Sequence, residues 1–255
     1  MRVTILGCGS STGVPMLGND WGACDPTNPR NRRRRASILV ETGATTVLVD
    51  TSPDLREQLI DARCKWLDAV IYTHGHADHL HGIDDLRSIN YFRNGALDAY
   101  ADDETLEVIR ARFGYVFDPI PAGAEMYKPW LVPRRIAGPF RIGDLDVVPF
   151  DQDHGFSRTL GFRFGSIAYS TDALELREDA FGILTGVETW IVDCLREQPH
   201  HTHTHLARTL TWIERVKPRR AILTHMNTSM DYGLLAAKLP AGVEPAFDGM
   251  VLGAV

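Results

Sequence analysis

A short motif, His74-Gly-His76-Ala-Asp78-His79, holds the residues of this sequence that are best suited to chemistry. It places four metal-capable side chains within six residues, and neutral imidazoles and carboxylates are the usual protein ligands of zinc, manganese and iron. In an extended segment His74 and His76 point to the same side, whereas Asp78 and His79 begin the next helix and reach a second point. The spacing therefore predicts two adjacent metal sites, although Asp78 would also suit a helix N-cap.

The elements that must position this motif can be predicted from apolar runs and their spacing. Short runs rich in Val and Ile, bounded by Gly, Pro or Asp, predict strands at Val3–Leu6, Ile38–Val40, Val47–Val49, Ala69–Tyr72, Asp146–Phe150, Leu160–Phe164, Ile167–Ser170, Trp190–Cys194 and Ala221–Leu223. Apolar residues at helical spacing predict helices at Pro53–Ala62, Asp102–Phe113, His205–Val216 and Met230–Leu239.

This order of strands and helices indicates an α/β (α+β) protein in which two mixed sheets with helices outside form a sandwich. We expect one domain over residues 1–255, with the proline-rich stretch Pro119–Pro139 as an irregular loop region that could serve as a lid or a dimer contact.

The composition is that of an ordinary globular protein, with 44% hydrophobic and 24% charged residues. The formal net charge of −6 gives no overall positive field that would draw the chain to nucleic acid. We expect no secretory signal, and no apolar run approaches the roughly 18 residues of a membrane span. The scattered cysteines are expected to be reduced thiols, and the expected location is the cytoplasm. The cysteines are Cys8, Cys24, Cys64 and Cys194.

The motif His74-x-His76-x-Asp78-His79 resembles the signature of the metallo-β-lactamase superfamily, whose fold is a four-layer αββα sandwich. The resemblance implies four further site residues, each after a strand, and candidates occur in the expected order. They are Asp50 in Val47-Leu48-Val49-Asp50, His154 in Asp153-His154-Gly155, Asp172 in Tyr169-Ser170-Thr171-Asp172 and His225 in Ile222-Leu223-Thr224-His225.

The same resemblance implies a ligand set for two divalent metal ions, for which zinc and manganese are both suitable. Metal one would bind His74, His76 and His154, metal two would bind Asp78, His79 and His225, and Asp172 would bridge them. Two cations about 3.5–4 Å apart can share a hydroxide and clamp the oxygens of an in-line displacement. Asp50 is expected to orient a ligand from outside this set, or else to be a strand-end turn residue.

A finer resemblance covers almost the whole chain, which is similar to PhnP-like cyclic phosphate phosphodiesterases and, through them, to tRNA 3′-processing endonucleases. The matching segments are Gly7–Pro15, the basic Arg32–Arg35 followed by Ala36-Ser37, Ser170-Thr171-Asp172, Ile222–His225 and Phe247-Asp248-Gly249-Met250. The resemblance implies that the shared hydroxide attacks the phosphorus of a small diester, such as 5-phosphoribosyl 1,2-cyclic phosphate. His203 would then protonate the leaving oxygen, beside Asp78 as the other catalytic residue. The alternative is that His203 belongs to a solvated, His-rich loop.

The sequence departs from this family at a structural zinc site. The PhnP-like proteins hold that zinc with a cysteine cluster near residue 20 and with a histidine three residues after the last catalytic ligand. Here Cys24 is the one cysteine of the corresponding segment, and Thr228 occupies the later position. Because a structural zinc normally needs four ligands, we predict two metals per chain and no third, structural zinc.

Several other polar residues have two interpretations each. The Arg32–Arg35 run is either a solvated face or a contact for a substrate phosphate, which arginine suits through its planar donor fork. Arg158 is a second candidate for substrate binding. His205 is expected to cap the following helix or to lie next to a metal ligand. Asp248 is expected to be a buried hydrogen-bonding group near the site or a turn residue.

Competing functions follow from the same pattern. A tRNA-processing or other ribonuclease is the main alternative, although the acidic charge disfavours broad RNA affinity. A thioesterase is a further alternative, as is a non-catalytic binding module of the same fold. We expect a small phosphodiester as the substrate, with no membrane or nucleic-acid partner, and the chain could form a homodimer.

Overall fold

The structure is a computed structural model that describes residues 1–253. Its strands are Arg2–Gly7 (β1), Ser37–Glu41 (β2), Thr46–Val49 (β3), Ala69–Ile71 (β4), Leu97–Ala101 (β5), Leu131–Arg135 (β6), Phe140–Ile142 (β7), Leu145–Asp153 (β8), Arg158–Phe164 (β9), Ile167–Ser170 (β10), Glu175–Leu176 (β11), Thr189–Asp193 (β12), Arg220–Thr224 (β13), Val243–Pro245 (β14) and Val251–Gly253 (β15). Its α-helices are Leu55–Asp61 (α1), Ala77–Leu80 (α2), Leu86–Arg93 (α3), Asp103–Phe113 (α4), Glu178–Leu184 (α5), Leu206–Val216 (α6) and Tyr232–Lys238 (α7).

The first sheet has the strand order β15-β1-β2-β3-β4-β5-β6. Strands β15, β1, β2 and β3 pair antiparallel, and β3, β4, β5 and β6 pair parallel. Because neighbouring parallel strands end at the same edge of a sheet, the residues that follow β3 and β4 lie close together. Asp50 directly follows β3, and His74 lies three residues after the end of β4.

The second sheet has the strand order β11-β8-β9-β10-β12-β13-β14, and β7 pairs with β8. Strands β10, β12, β13 and β14 are parallel to one another. Strand β8 also runs in their direction, because β9 is antiparallel to both β8 and β10. The carboxyl ends of β8, β10, β12 and β13 therefore share one edge, where His154, Asp172, Asp193 and His225 follow or end these strands.

Two apolar cores hold these layers together. One includes inward-facing residues of both sheets, such as Ile5, Phe162 and Trp190, and apolar residues of α5, α6 and α7. The other lies between the first sheet and α1, α3 and α4. Strand β12 is buried along its whole length, which is why its sequence is a continuous apolar run rather than an alternating one.

The structure confirms the α/β sandwich of two packed sheets with helices. Each of the nine apolar runs overlaps a strand, and the four predicted helices overlap α1, α4, α6 and α7. The single-domain expectation stays a prediction. Among residues 1–253 no helix combines the length and the apolar character needed to cross a bilayer.

The prediction for Pro119–Pro139 is wrong in part, because this stretch contains β6. Strand β6 is the last strand of the first sheet, so within residues 1–253 one of its sides makes no ladder hydrogen bonds. Proline is tolerated in such an edge strand, and Pro133 lies opposite Ala99 of β5. Residues 119–130 are irregular, as expected.

Candidate metal centre

The seven predicted metal ligands converge between the facing edges of the two sheets. The first sheet delivers four of them through the segment after β4 and through α2, and the second sheet delivers three from the ends of β8, β10 and β13. They form two groups in which the ligand atoms lie within 4.8 Å of one another: His74, His76 and His154 in one, and Asp78, His79, Asp172 and His225 in the other. His76 is exposed, whereas the other four histidines of these groups are buried.

Asp172 lies between the two groups and presents a different oxygen to each. Its Oδ1 atom is 3.7 Å from Nε2 of His154 and 4.0 Å from Nε2 of His74. Its Oδ2 atom is 3.0 Å from Nε2 of His79 and 3.4 Å from Nε2 of His225. This is the arrangement that a carboxylate needs in order to bridge two cations.

Asp78 belongs to the second group alone. Its Oδ2 atom is 3.3 Å from Nε2 of His79 and 3.6 Å from Nε2 of His225. The side chain lies on the four-residue helix α2, whose N-cap is His76. Asp78 is the second residue of this helix rather than its cap, so its carboxylate is free to face the cluster.

Asp50 orients two histidines from behind. Its Oδ2 atom lies 2.7 Å from Nδ1 of the His79 ring and accepts a hydrogen bond from the Thr73 hydroxyl at 2.8 Å. That hydroxyl lies 2.9 Å from Nδ1 of His74, and a hydroxyl that donates to a carboxylate can accept from an imidazole N–H. Each ring can therefore carry a proton on Nδ1 and direct its Nε2 toward the cluster, which is the usual role of such supporting groups.

Several ring nitrogens of the cluster are buried without a partner. Among residues 1–253, Nε2 of His74, Nε2 of His79 and both ring nitrogens of His225 make no hydrogen bond. The ring of His154 is fixed in the same sense as the others, because its Nδ1 lies 2.7 Å from the carbonyl oxygen of Thr202. Burying unpartnered polar atoms is costly, and a divalent cation removes this cost. The donor set of imidazoles and carboxylates fits such a cation.

The charges of the cluster act differently on its ligands. Around His79 the carboxylates of Asp172, Asp78 and Asp50 outweigh burial and raise the pKa of the ring well above its ordinary value, so a metal ion there would displace a proton. Asp172 and His74 are held in the forms that bind metal. Burial favours the protonated carboxyl of Asp172, but His225 and His79 outweigh burial and hold its pKa well below the usual range. Burial, reinforced by the neighbouring His79, holds the pKa of His74 well below its ordinary value. A deprotonated carboxylate and a neutral imidazole are the forms that coordinate.

The backbone is strained at three of these positions. Asp50, Asp172 and His225 have φ angles of 66°, 53° and 58°, in the left-handed region that non-glycine residues seldom adopt. Each lies immediately after its strand or two residues beyond it. Strain of this kind persists where the surrounding structure fixes it, which is common at functional sites. Here it turns the side chains of strand-end residues back over the sheet edges.

His203 lies beside the bridging position. Its Nε2 atom is 3.9 Å from Oδ1 of Asp172, and its ring stacks on that of His225 at a centroid distance of 4.8 Å. Its Nδ1 atom is 3.1 Å from Oδ2 of Asp193. Burial lowers the pKa of His203, but the charge and hydrogen bond of Asp193 outweigh it and raise the pKa to about 9. The ring can thus hold a proton on Nε2, facing the cluster.

Asp193 is a site residue that the sequence reasoning missed. Besides contacting His203, its Oδ2 atom accepts a hydrogen bond from the backbone N–H of Ala173 at 2.9 Å, which ties down the residue next to Asp172. Its Oδ1 atom is buried, 3.9 Å from Nδ1 of His225. Its position in the sequence was the one available signal for a site residue. Asp193 ends a buried parallel strand, and Asp50 likewise follows a buried parallel strand.

Most of the chain, residues 45–226, matches the family model described as the beta-lactamase superfamily domain. This span contains all seven predicted ligands together with His203. The chain belongs to the β-lactamase superfamily. A solved diphosphatase from the PhnP family is 33% identical, with a TM-score of 0.91 over 100% of this chain and 98% of that one, which places the chain in the PhnP branch.

Two further proteins are similar to this chain. Zinc-bound PqqB from Methylobacterium extorquens is 20% identical, with a TM-score of 0.77 over 100% of both chains, so it supports the fold alone. An octanoyltransferase from Porphyromonas gingivalis is 34% identical over 231 residues, which are 89% of this chain and 46% of that protein. The chain spans less than half the length of the curated relatives that it matches.

The structure does not bring Arg158 to the cluster. Its guanidinium lies 2.7 Å from Oδ2 of Asp102 and 3.5 Å from Oδ1 of Asp151. None of its contacts within residues 1–253 involves a predicted ligand. The role of Arg158 in substrate binding stays a prediction, and two carboxylates lie beside its guanidinium.

His205 and Asp248 also lie outside the cluster's contacts. His205 occupies the N-cap position of α6, but its side chain makes no capping hydrogen bond. The carboxylate of Asp248 accepts from the backbone N–H groups of Cys8 and Arg34, at 3.1 and 2.7 Å. Burial raises its pKa to about 7. Asp248 is the expected hydrogen-bonding group, but it joins two loops rather than supporting a metal ligand.

A buried arginine occupies the region where the family would place its structural zinc. Cys24 donates to the carbonyl oxygen of Thr228 at 3.4 Å. The guanidinium of Arg33, only 1% exposed, donates to the carbonyl oxygens of Met230 at 2.6 Å and of Asn227 at 3.4 Å. Arg33 thereby ties its own loop to the segment that follows the predicted ligand His225.

Proposed function

We propose that this chain is a dinuclear metal-dependent phosphohydrolase that cleaves a small phosphodiester. The observation that carries this proposal is the Asp172 carboxylate, which offers one oxygen to each of two groups of ligand atoms. Metal one would be held by His74, His76 and His154, metal two by Asp78, His79 and His225, and Asp172 would be shared. Zinc and manganese both suit these donors, and the solved PqqB relative holds zinc.

Two cations in these sites would supply Lewis acidity, lowering the pKa of bound water and neutralising charge on phosphoryl oxygens. The residues of the chain would orient the metal ligands. Asp50 holds His79 so that Nε2 faces the reacting region, and Thr73 does the same for His74. The loops that carry Asp172 and His225 are fixed by their strand ends.

His203 is proposed as the general acid. The leaving oxygen of an alkyl phosphodiester is a strong base and needs a proton as the P–O bond breaks. His203 can hold that proton on Nε2, 3.9 Å from Oδ1 of Asp172, the oxygen beside His74 and His154. Asp193 accepts from Nδ1, so the ring stays oriented and stabilised as imidazolium before the transfer. After the transfer, the neutral ring keeps its Nδ1 proton on Asp193.

A diphosphate is the second candidate substrate. The similar PhnP-family structure is that of a diphosphatase, and a phosphoanhydride presents the same phosphoryl centre to the two sites. Its leaving phosphate is a weak base and depends less on a proton from His203. The dependence of the rate on His203 therefore distinguishes the two candidate substrates, since it should be weaker for a diphosphate than for an alkyl phosphodiester.

Acyl transfer through a cysteine is not supported, even though the longer Porphyromonas relative is an octanoyltransferase. Burial raises the pKa of the thiols of Cys8, Cys24, Cys64 and Cys194. A reactive thiolate needs a lowered pKa and solvent access. Three of the four are buried, and Cys64 has a pKa of about 11.

The test is a substrate panel on protein that has been stripped of metal and reconstituted with zinc or with manganese. The panel contains bis(4-nitrophenyl) phosphate, a ribosyl cyclic phosphate, a dinucleoside diphosphate, a tRNA precursor and a thioester. We expect metal-dependent cleavage of the phosphodiesters. Cleavage of the thioester alone would overturn the proposal, and preference for the tRNA precursor would favour the ribonuclease.

A further inference from the structure

Helix α4 packs on the short segment that carries three of the proposed metal ligands. This segment comprises residues 75–81, and its ligands are His76, Asp78 and His79. At its start, Nη1 of Arg112 donates to the carbonyl oxygen of Gly75 at 2.9 Å. At its end, the ring of His81 meets the ring of Phe113 edge to face, at a centroid distance of 5.4 Å. The C-terminal half of α4 therefore contacts the segment at both of its ends.

Between Gly75 and α4 there is no room for a side chain. A Cβ atom added to Gly75 would lie 2.8 Å from Cγ1 and 3.1 Å from Cγ2 of Val108, closer than carbon atoms normally pack. The φ angle of Gly75 does not lie in the left-handed region, so its backbone conformation would accept alanine. Glycine is therefore needed here for the close approach of α4 and not for a special backbone conformation.

The ring of His76 has less support than the rings of several other ligands. Three ligand rings have Nδ1 within hydrogen-bond distance of an oxygen atom, and they are His74, His79 and His154. Within residues 1–253 the His76 ring makes no hydrogen bond, and its ring neighbours are His74 at 4.5 Å and His154 at 5.1 Å. Its direction is therefore set mainly through its backbone. The carbonyl group that Arg112 holds belongs to the peptide that joins Gly75 to His76.

Helix α4 is itself a firm support for this peptide. Leu106 and Ile109 are buried in the core between the first sheet and the helices. The Asp102 side chain caps the helix, because it accepts from the backbone N–H of Thr105 at 2.9 Å. Within residues 1–253 Arg112 makes no ion pair, so no carboxylate draws its guanidinium away from the carbonyl oxygen. The hydrogen bond thus joins a packed helix to the residue before a proposed metal ligand.

We infer that Arg112 is a positioning residue for metal one. Its hydrogen bond holds the peptide before His76, and Val108 sets the distance between that peptide and α4. Metal two should depend on α4 less, because the ring of its ligand His79 is held by Asp50 at 2.7 Å. The inference rests on the metal sites of the proposed function, and it extends their support to a helix that supplies no ligand.

The test measures metal binding without substrate. Metal-free protein is titrated calorimetrically with zinc in the presence of a competing chelator, which gives the affinity of each site. Arg112→Gln should weaken one site by about 10-fold, the lower range for groups that support a ligand, and should leave the other within about 2-fold. Arg110→Gln is the matched control and should leave both affinities unchanged, because Arg110 lies on the same helix over the Phe117 ring, at 5.8 Å.

A double-mutant cycle assigns the weakened site. His76→Ala removes a ligand of metal one, so the second site alone should keep its affinity. If Arg112 acts through His76, adding Arg112→Gln to His76→Ala should not weaken the remaining site further. The midpoint of denaturant unfolding of metal-free Arg112→Gln should equal that of wild type, which separates positioning from a general loss of stability.

Gly75→Ala tests the packing of the peptide on α4. The added methyl group should push the peptide away from the helix and weaken metal one by at least as much as Arg112→Gln does. Val108→Ala removes both Cγ atoms, so the Gly75→Ala/Val108→Ala protein should regain part of this affinity. A protein that was merely destabilised would not be rescued by a second change that removes packing atoms. Absence of the rescue would overturn the role of Val108.

Three results would overturn the inference about Arg112. They are unchanged affinities in Arg112→Gln, equal weakening of both sites, and a loss that persists in the His76→Ala background. Each of them would leave the two-metal proposal intact, because the wild-type protein would still bind two ions. Wild-type protein that binds no metal would overturn the proposed function and this inference together.

Discussion

Two buried polar regions of this protein, the metal cluster and the Arg33 network, differ in where their cation comes from. In the cluster, ring nitrogens of His74, His79 and His225 are buried without a partner among residues 1–253. In the network, the equally buried Arg33 donates from both terminal nitrogens to carbonyl oxygens of the loop after His225. The network carries its cation on a side chain, whereas the cluster is built to take cations from solution.

The two regions should therefore respond differently to loss of metal and to substitution. Removing metal should disturb the cluster and leave the network in place, because guanidinium cannot be chelated. Removing the Arg33 side chain should leave carbonyl oxygens of the loop buried without donors, and added metal should not compensate.

The largest effect is expected from Asp172→Asn. An amide cannot offer one anionic oxygen to each of two cations, so metal affinity and the bridging geometry should both fail. We expect kcat on a phosphodiester to fall by more than roughly 10³-fold and the metal content to fall below two per chain. Asp118→Asn, which changes an exposed carboxylate, serves as the control. Wild-type activity in Asp172→Asn would refute the bridging role.

His203→Ala should have the next largest effect, and its size should depend on the leaving group. With an alkyl leaving group we expect kcat to fall by about 10²-fold, the lower range for general acid catalysis. With 4-nitrophenolate, which leaves without a proton, the loss should be under about 10-fold. Steady-state kinetics on both substrates test this, with His205→Ala as the matched histidine control. Equal losses on both substrates would contradict the acid role.

Asp193→Asn should change the pH dependence of catalysis by His203. Asparagine keeps the size of the side chain but loses the charge that stabilises the His203 imidazolium. Because Asp193 raises the pKa of His203, the variant should lose the protonated acid at a lower pH than wild type. The basic limb of the kcat–pH profile for an alkyl diester should therefore move to lower pH. An unchanged profile would mean that Asp193 only fixes the Ala173 backbone.

Arg33→Met should break the network rather than the cluster. It leaves the carbonyl oxygens of Asn227 and Met230 without their donor, which should cost about 2–3 kcal/mol of the free energy of unfolding. Arg32→Met, at an exposed position, should change it by less than about 0.5 kcal/mol. Denaturant unfolding of both variants with and without metal measures this. Full rescue of Arg33→Met by metal would show that the two regions are not independent.

The smallest effect concerns pH and Asp248, which joins the Cys8 and Arg34 loops. Its folded pKa of about 7 lies above the ordinary value of about 3.9. Between these values the folded state therefore binds more protons than the unfolded state. The stability that Asp248 contributes should thus decrease as pH rises from about 4 to 7, by up to about 1.4 kcal/mol per pH unit. Subtracting the unfolding free energies of Asp248→Asn from those of wild type isolates this slope, and a flat difference would contradict it.

The sequence was most informative where chemistry is local or periodic. The spacing of His74, His76, Asp78 and His79 predicts two neighbouring metal sites, and buried strands such as β12 stand out as continuous apolar runs. The resemblance to a known superfamily then supplied His154, Asp172 and His225. The structure brings them together because parallel strands end at shared edges, a tertiary relation that spacing alone does not contain.

Long-range pairing explains what the sequence did not predict. Asp193 looks like an ordinary strand-end residue until β12 is placed between β10 and β13. Arg158 follows the predicted ligand His154 by four residues, and its hydrogen bond to Asp102 was not apparent because the two residues lie 56 positions apart. Strand β6 was missed because its proline disfavours a strand everywhere except at a sheet edge. The surroundings of Arg32–Arg35 likewise depend on segments from both ends of the chain.

Metal analysis of the purified, reconstituted protein, paired with phosphodiesterase assays on the same samples, tests the central claim most directly. We predict two equivalents of zinc or manganese per wild-type chain, fewer than two in Asp172→Asn, and two in folded Arg33→Met. Activity should be lost on chelation and should return with the second equivalent of metal. Full phosphodiester cleavage by protein that holds no metal, or a single ion, would contradict the account.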